Sequence, residues 1–130
     1  MDLNKVFFTR DAWAQESGIE LIEVSTGRAK VRMTIEKRHL NGHGTVHGGV
    51  IFTLADTAFA LASNSHGIPA AAINAHISYV KSATGGTLSA ECAETSLSPK
   101  IATYSAVVTD NSGEKIALFE GMVYRKTPRK

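Results

Sequence analysis

Between Val50 and Ala62 the chain runs Val-Ile-Phe-Thr-Leu-Ala-Asp-Thr-Ala-Phe-Ala-Leu-Ala with no proline, and Gly48 and Gly49 stand directly before it. Alanine and leucine favour helix, and nothing in the run breaks one. A helix apolar on nearly every side is buried on most sides, so the rest of the chain must wrap round it. The run is interrupted by Asp56 and is too short to span a membrane. Asn64 to Gly67, followed by Pro69, ends it.

The flanking sequence reads mostly as strands. Ile19 to Val24 is apolar and β-branched, Ser25-Thr26-Gly27 is a turn, and Ala29, Val31, Met33 and Ile35 then alternate with polar residues. That pattern predicts a hairpin. After Pro69 the period is again two: Ile73, Ala75, Ile77 and Tyr79 oppose Asn74, His76 and Ser78. Gly85-Gly86 breaks this run. Thr87 to Ser96 and Ile101 to Thr109 flank the turn Leu97-Ser98-Pro99-Lys100, and Lys115 to Tyr124 follows the turn Asp110 to Gly113. At the other end, Val6, Phe7, Trp13 and Ala14 recur at helical spacing before Gly18, which predicts one short N-terminal helix.

Short turns imply antiparallel neighbours. The expected architecture is α+β: a curved antiparallel sheet wrapped round one long central helix. The 130 residues suit a single domain, 1–130. At 43% hydrophobic and 20% charged the chain reads as globular rather than disordered. A net charge of +2 is too small to argue for nucleic acid, and Arg125, Lys126, Arg129 and Lys130 read as a solvated tail. No N-terminal stretch has the pattern of a signal peptide. Cys92, the only cysteine, excludes an internal disulfide and a cysteine zinc cluster, and its apolar-alternating run predicts buried packing. A cytoplasmic, non-membrane location is expected.

The chemistry concentrates at the central helix. The first N–H groups of a helix lack internal partners and sit at the positive end of its dipole. Gly48 and Gly49 would let a ligand approach them closely, which suits a developing oxyanion. The same glycines also suit a tight loop-to-helix turn with no ligand. Asp56 lies among Leu54, Ala55, Ala58 and Phe59, and no Lys or Arg occurs between His39 and Val80. A carboxylate there is costly unless paired, so it reads as a base that activates water or as a nucleophile; the bland alternative is a carboxylate bonded to a loop or to a neighbouring subunit's backbone. Gly48 and Asp56 are eight residues apart, about 12 Å along a helix. A short Asp side chain does not cover that distance. If both act on one carbonyl, they come from two copies of the chain, and a two-fold axis makes two such sites. Asn41 would hold water or substrate, or serve only as a turn residue before Gly42. His47 would fix the loop by hydrogen bonding, in preference to acting as an acid.

His39, His43 and His47 are four apart, but the glycines between and after them argue against one helix and against a metal site. The loop lacks the ending of a P-loop and the Rossmann spacing, and no Ser sits in a nucleophile elbow. His66 and His76 read as a helix-end and a strand-surface residue.

Asn41, His47-Gly48-Gly49, Phe52, Leu54-Ala55-Asp56-Thr57-Ala58-Phe59-Ala60 and Asn64 stand together in one order and spacing. In that stretch the chain resembles the hotdog-fold acyl-CoA thioesterases, in particular the phenylacetic-acid-degradation branch. Tyr79 followed by Lys81-Ser82-Ala83 is similar to the family's strand after the helix. The resemblance implies a hotdog fold, a homotetramer built as a dimer of dimers, and active sites at subunit interfaces. It implies that the Gly48 N–H polarises the thioester carbonyl and that Asp56 of the partner subunit is the catalytic carboxylate, with Asn41 and His47 in support. Some relatives place a hydroxyl one turn after the carboxylate, where Ala60 stands, and others a Ser near Ala72. Water positioning here then falls to Thr57 or Asn41, and base catalysis and direct attack by Asp56 both stay open.

The expected activity is hydrolysis of an acyl-CoA to free acid and CoA, with aryl-acetyl groups such as phenylacetyl or hydroxyphenylacetyl first from the resemblance, and fatty acyl groups open. Gly49 and Thr57 join the substrate-binding candidates, and Lys100 and Arg125 are candidates for the nucleotide end of CoA. No metal or redox cofactor is expected. Two rivals are a hydroxyacyl-thioester dehydratase or hydratase using His47 with Asp56, and a non-catalytic acyl-CoA sensor, for which a buried Asp would be a liability.

Overall fold

The apolar run forms the helix that the remaining elements enclose. The computed structural model describes residues 2–126. In chain order it has α1 (Leu3–Thr9), α2 (Ala12–Ser17), β1 (Ile19–Ser25), β2 (Arg28–Thr34), a 3-10 turn (Lys37–His39), α3 (Gly48–Asn64), β3 (Ala70–Tyr79), β4 (Thr87–Leu97), β5 (Ile101–Thr109) and β6 (Lys115–Arg125). The strands form one six-stranded sheet in the order β1-β2-β4-β5-β6-β3, with every neighbouring pair antiparallel.

The sheet curves over α3 and meets it with small and branched residues. Val31 of β2 pairs with Ala90 of β4, Ala90 with Val108 of β5, and Ala106 of β5 with Phe119 of β6. All five are buried, as are Leu54, Ala55, Ala58, Phe59, Leu61 and Ala62 of α3. Phe59 packs on Tyr104 and Phe119, at centroid distances of 5.7 and 5.3 Å. Gly121 makes room for it: a Cβ there would lie 2.6 Å from Phe59 Cζ. Cys92 is buried in the same layer, and burial pushes its thiol up to about 12.

Three expectations need correction. The single N-terminal helix is two. Arg10 closes α1, and the Asp11 carboxylate accepts the Ala14 N–H at 3.0 Å to start α2, a strong N-cap that overrides the helical spacing across it. Gly18 does stop α2, in the left-handed conformation at φ 80°. Arg125 is not part of a solvated tail: β6 runs through it, it is buried, and Nη1 donates to the Ser98 carbonyl at 3.0 Å. Lys126 is exposed, and Arg129 and Lys130 lie outside the described residues. Finally, the alternation in β3 is followed only in part: Ala70 and Ile77 are partly buried against the core, while most of the strand is exposed. Ile73 and Tyr79 are 56% and 51% exposed, and β3, an edge strand, has a register shift between Ala72 and Asn74.

Candidate active site

The loop before α3 is closed on itself. Leu40 and Val46 form a bridge, and the Asn41 carboxamide oxygen accepts the N–H groups of His43 (2.9 Å) and Thr45 (3.2 Å). Asn41 Nδ2 donates to Thr45 Oγ1 at 3.0 Å. These bonds make Asn41 the internal brace of the loop. The Val46 N–H donates to Ala83 and the His47 N–H to His39, each at 2.8 Å, which ties the loop to its surroundings.

His47 caps α3. Its Nδ1 accepts the Gly49 N–H at 2.9 Å. An N–H can only donate, so Nδ1 carries no proton and the neutral ring carries its hydrogen on Nε2. The His47 carbonyl accepts from Val50 (2.9 Å) and Ile51 (3.2 Å). The N–H of the same peptide group belongs to Gly48 and finds no acceptor among the described residues. Tyr79 covers the other side: its hydroxyl donates to the Gly48 carbonyl at 3.0 Å, and a Cβ on Gly48 would lie 3.3 Å from its ring. Glycine therefore permits this close approach. Val46, Gly48, Ile51, Tyr79, Val80, Lys81 and Ser82 line an open groove of about 380 Å³ at this end of the helix.

Asp56 lies on the one stripe of α3 that the sheet leaves open, with Gly49 and Thr53 before it and Ala60 after it. It is half-buried, and burial, followed by the Asp11 carboxylate, holds it above the ordinary carboxylate value of 3.8 with no cation or donor opposing them. Thr53 has partners on both sides. Trp13 Nε1 donates to its hydroxyl at 3.0 Å, and that hydroxyl donates to the Gly49 carbonyl at 2.8 Å. Thr57 points the other way: it is buried, and its hydroxyl donates to the Thr53 carbonyl at 2.7 Å. Its proton is committed to the helix rather than to the Asp56 stripe.

His47, Gly48 and Gly49 thus gather at the tip of α3, with Asn41 bracing the loop behind them. Asp56 stands about two turns further along. Lys100 is exposed in the β4–β5 turn, 5.9 Å over the Tyr124 ring. Its carbonyl accepts the Arg125 N–H, and Arg125 pairs with Ala70, so it belongs to the far end of α3 from Gly48. His39 is buried with Nδ1 taken by the Glu36 N–H and Nε2 donating to Ser17, and His43 is exposed in the loop. Helical spacing does not relate these histidines. The contacts of Trp13 with Thr53 and of Tyr79 with Gly48 were not legible in the sequence, because the partners lie 40 and 31 residues apart in the chain. Nor was a cluster at the far end of α3, where Glu94 accepts from His66 (2.7 Å) and Tyr104 (2.8 Å). No local pattern announces such pairs.

Residues 43–117 match the family described as Thioesterase superfamily. A provisionally named esterase of Archaeoglobus fulgidus is 50% identical over 106 residues, 81% of this chain and 69% of that protein. The acyl-coenzyme A thioesterase PaaI of Escherichia coli is 36% identical over 119 residues, 91% of this chain and 85% of that protein. The solved E. coli PaaI, from the phenylacetic acid degradation operon, aligns with a TM-score of 0.91 at 35% identity over 95% of this chain and 90% of its own. A Streptococcus mutans protein solved with bound acetyl CoA aligns with a TM-score of 0.81 at 26% identity, over 86% of this chain and 91% of its own.

Proposed function

The chain belongs to the thioesterase superfamily, and from that premise and the geometry of α3 we propose that it hydrolyses acyl-CoA thioesters to a free acid and CoA. The observation that carries the assignment of roles is the pairing of two unsatisfied groups on one continuous helix: the Gly48 N–H at its tip and the Asp56 carboxyl on its open stripe.

The thioester carbonyl oxygen accepts the Gly48 N–H, whose peptide is already polarised by the two bonds to the His47 carbonyl. Asp56 of the partner subunit takes a proton from water as that water attacks the carbonyl carbon. The C–S bond breaks, CoA leaves as the thiolate, and the proton passes from Asp56 to sulfur. A raised pKa suits Asp56 to base catalysis, since the carboxylate holds the transferred proton better. Solvent ¹⁸O found in Asp56 after a single turnover would instead establish direct attack. The dehydratase alternative would need a free base on His47, and its Nδ1 is committed to Gly49. The chemistry calls for no metal or redox cofactor, so dialysis against a chelator should leave the rate unchanged.

The same spacing and the outer edge of β3 support a dimer. That edge presents ten residues with no proline or lysine to blunt it, which suits pairing with a second copy. Exposed Leu3, Phe7 and Ile22 lie on other elements and suit a second interface, hence a dimer of dimers. Light scattering on the purified protein tests the count. Phe52, edge-on to Phe119 at 5.6 Å, gives the Asp56 stripe an aromatic border, which suits an aryl-acetyl group. Lys100 remains the surface candidate for CoA phosphate, and a CoA substrate goes with a cytoplasmic location. Among the described residues no helix is long and apolar enough to cross a membrane.

The test is thiol release from a panel of aryl-acetyl, short-chain and medium-chain acyl-CoAs. The proposal expects turnover that Asp56→Asn lowers by about 10²- to 10⁴-fold. Full activity in that variant sinks the assignment of Asp56.

A further inference from the structure

We propose that Trp13 and Thr53 are positioning residues for the thioester carbonyl, acting through a chain of hydrogen bonds that ends on the Gly48 N–H. The inference rests on the reading of Gly48 given above and deepens it.

The chain can be followed atom by atom. The indole Nε1–H of Trp13 donates to Thr53 Oγ1 at 3.0 Å. The Thr53 hydroxyl donates to the Gly49 carbonyl at 2.8 Å. That carbonyl shares a peptide group with the Val50 N–H, which donates to the His47 carbonyl at 2.9 Å. The His47 carbonyl shares a peptide group with the Gly48 N–H. A hydroxyl that accepts a bond becomes a better donor, and a peptide whose carbonyl is engaged has a more polar N–H, so the links reinforce one another. The open end of the chain is the group that meets the developing oxyanion.

A threonine hydroxyl bonded to the carbonyl four residues back is common within helices. The distinctive feature is its acceptor side, filled by an indole from a separate helix. Trp13 is 60% exposed, so packing alone is a weak reason for its place. The same short helix α2 is capped by Asp11, whose charge acts on Asp56. The helix and its cap therefore bear on both halves of the machinery, by a hydrogen bond at Thr53 and by charge at Asp56. If Gly48 serves one site and Asp56 the other, each α2 influences both sites of a dimer.

Removing a single link weakens the Gly48 bond by about 10–30%, which should cost about 1.3- to fourfold in rate. Thr53→Val keeps the shape and deletes the hydroxyl; Thr53→Ser keeps the hydroxyl; Trp13→Phe keeps most of the ring and deletes the N–H. For each variant, kcat and KM are measured on the best acyl-CoA of the panel. The carbonyl stretch is then recorded by isotope-edited infrared spectroscopy for a bound ketone analogue, in which methylene replaces the thioester sulfur. In the wild type the stretch should fall below its value in water. Thr53→Val should lose kcat with KM nearly unchanged and show a smaller fall, Thr53→Ser should restore both, and Trp13→Phe should lie between. A wild-type carbonyl shift in Thr53→Val, whatever its kcat, overturns the chain and leaves Gly48 intact. No shift in the wild type overturns the role of Gly48, and the inference with it. If Thr53→Val does not fold, the exposed Trp13→Phe decides on the same two readouts.

Discussion

A carboxylate on a helix face that no cation approaches is harder to ionise in the folded chain than in water. Asp56 is such a group: burial raises it, and the Asp11 carboxylate raises it further. Below 3.8 the carboxyl is protonated in both folded and unfolded chains and the penalty vanishes; as pH rises through the raised folded value, stability is lost. Asp56→Asn should therefore melt above the wild type at neutral pH, with the gap closing as pH falls into the carboxylate range. A catalytic base must also be ionised, so the acid limb of kcat/KM should lie above 3.8. Asp11→Asn removes the second cause while keeping a good N-cap, and should move that limb to lower pH. An unmoved limb, or an Asp56→Asn variant less stable at every pH, would contradict this account. The sequence exposed the Asp56 problem because lysine and arginine are missing for forty residues around it; Asp11 was invisible because its closeness is made by folding alone.

The fit between α3 and the sheet has little slack. Phe59 sits between Tyr104 and Phe119, and its ring lies over Gly121. Because the contacted ring is fully buried, it has nowhere to swing. Gly121→Ala should cost about 1–3 kcal/mol through overpacking, read as a lower urea midpoint with an unchanged m value. A neutral result would mean that the helix and β6 move apart more easily than their packing suggests. Most elements were legible, since the strands of the sheet carry a period of two and α3 is apolar almost all round. β5 occupies Ile101–Thr109, the span read from alternation and turns. The break between α1 and α2 was not legible because the apolar spacing continues across it while Asp11 starts a new cap. Arg125 looked like tail for a similar reason: its burial depends on the Ser98 carbonyl, contributed by another turn.

If Gly48 and Asp56 act on one carbonyl, a lone chain leaves the chemistry incomplete and a second copy must complete it. On a straight α3 the Gly48 N–H and the Asp56 carboxyl are separated by about 12 Å, so one thioester carbonyl cannot use both from the same copy. Two copies paired across β3 would each offer a helix tip to the other's carboxylate. Take Asp56→Asn in one chain and Gly48→Val in the other, where the added side chain crowds the tip and displaces the half-exposed Tyr79 ring. Each should be inactive alone. In a dimer of one with the other, the tip of the first chain meets the intact carboxylate of the second, and one of the two sites works. Random mixing from equal amounts then recovers about a quarter of wild-type activity, because half the dimers are mixed and half their sites are whole. A site built within one chain recovers none, since every copy carries a defect. The two outcomes are separated by coexpression with distinct tags, tandem purification of the mixed dimer, and the thiol-release rate of that fraction alone.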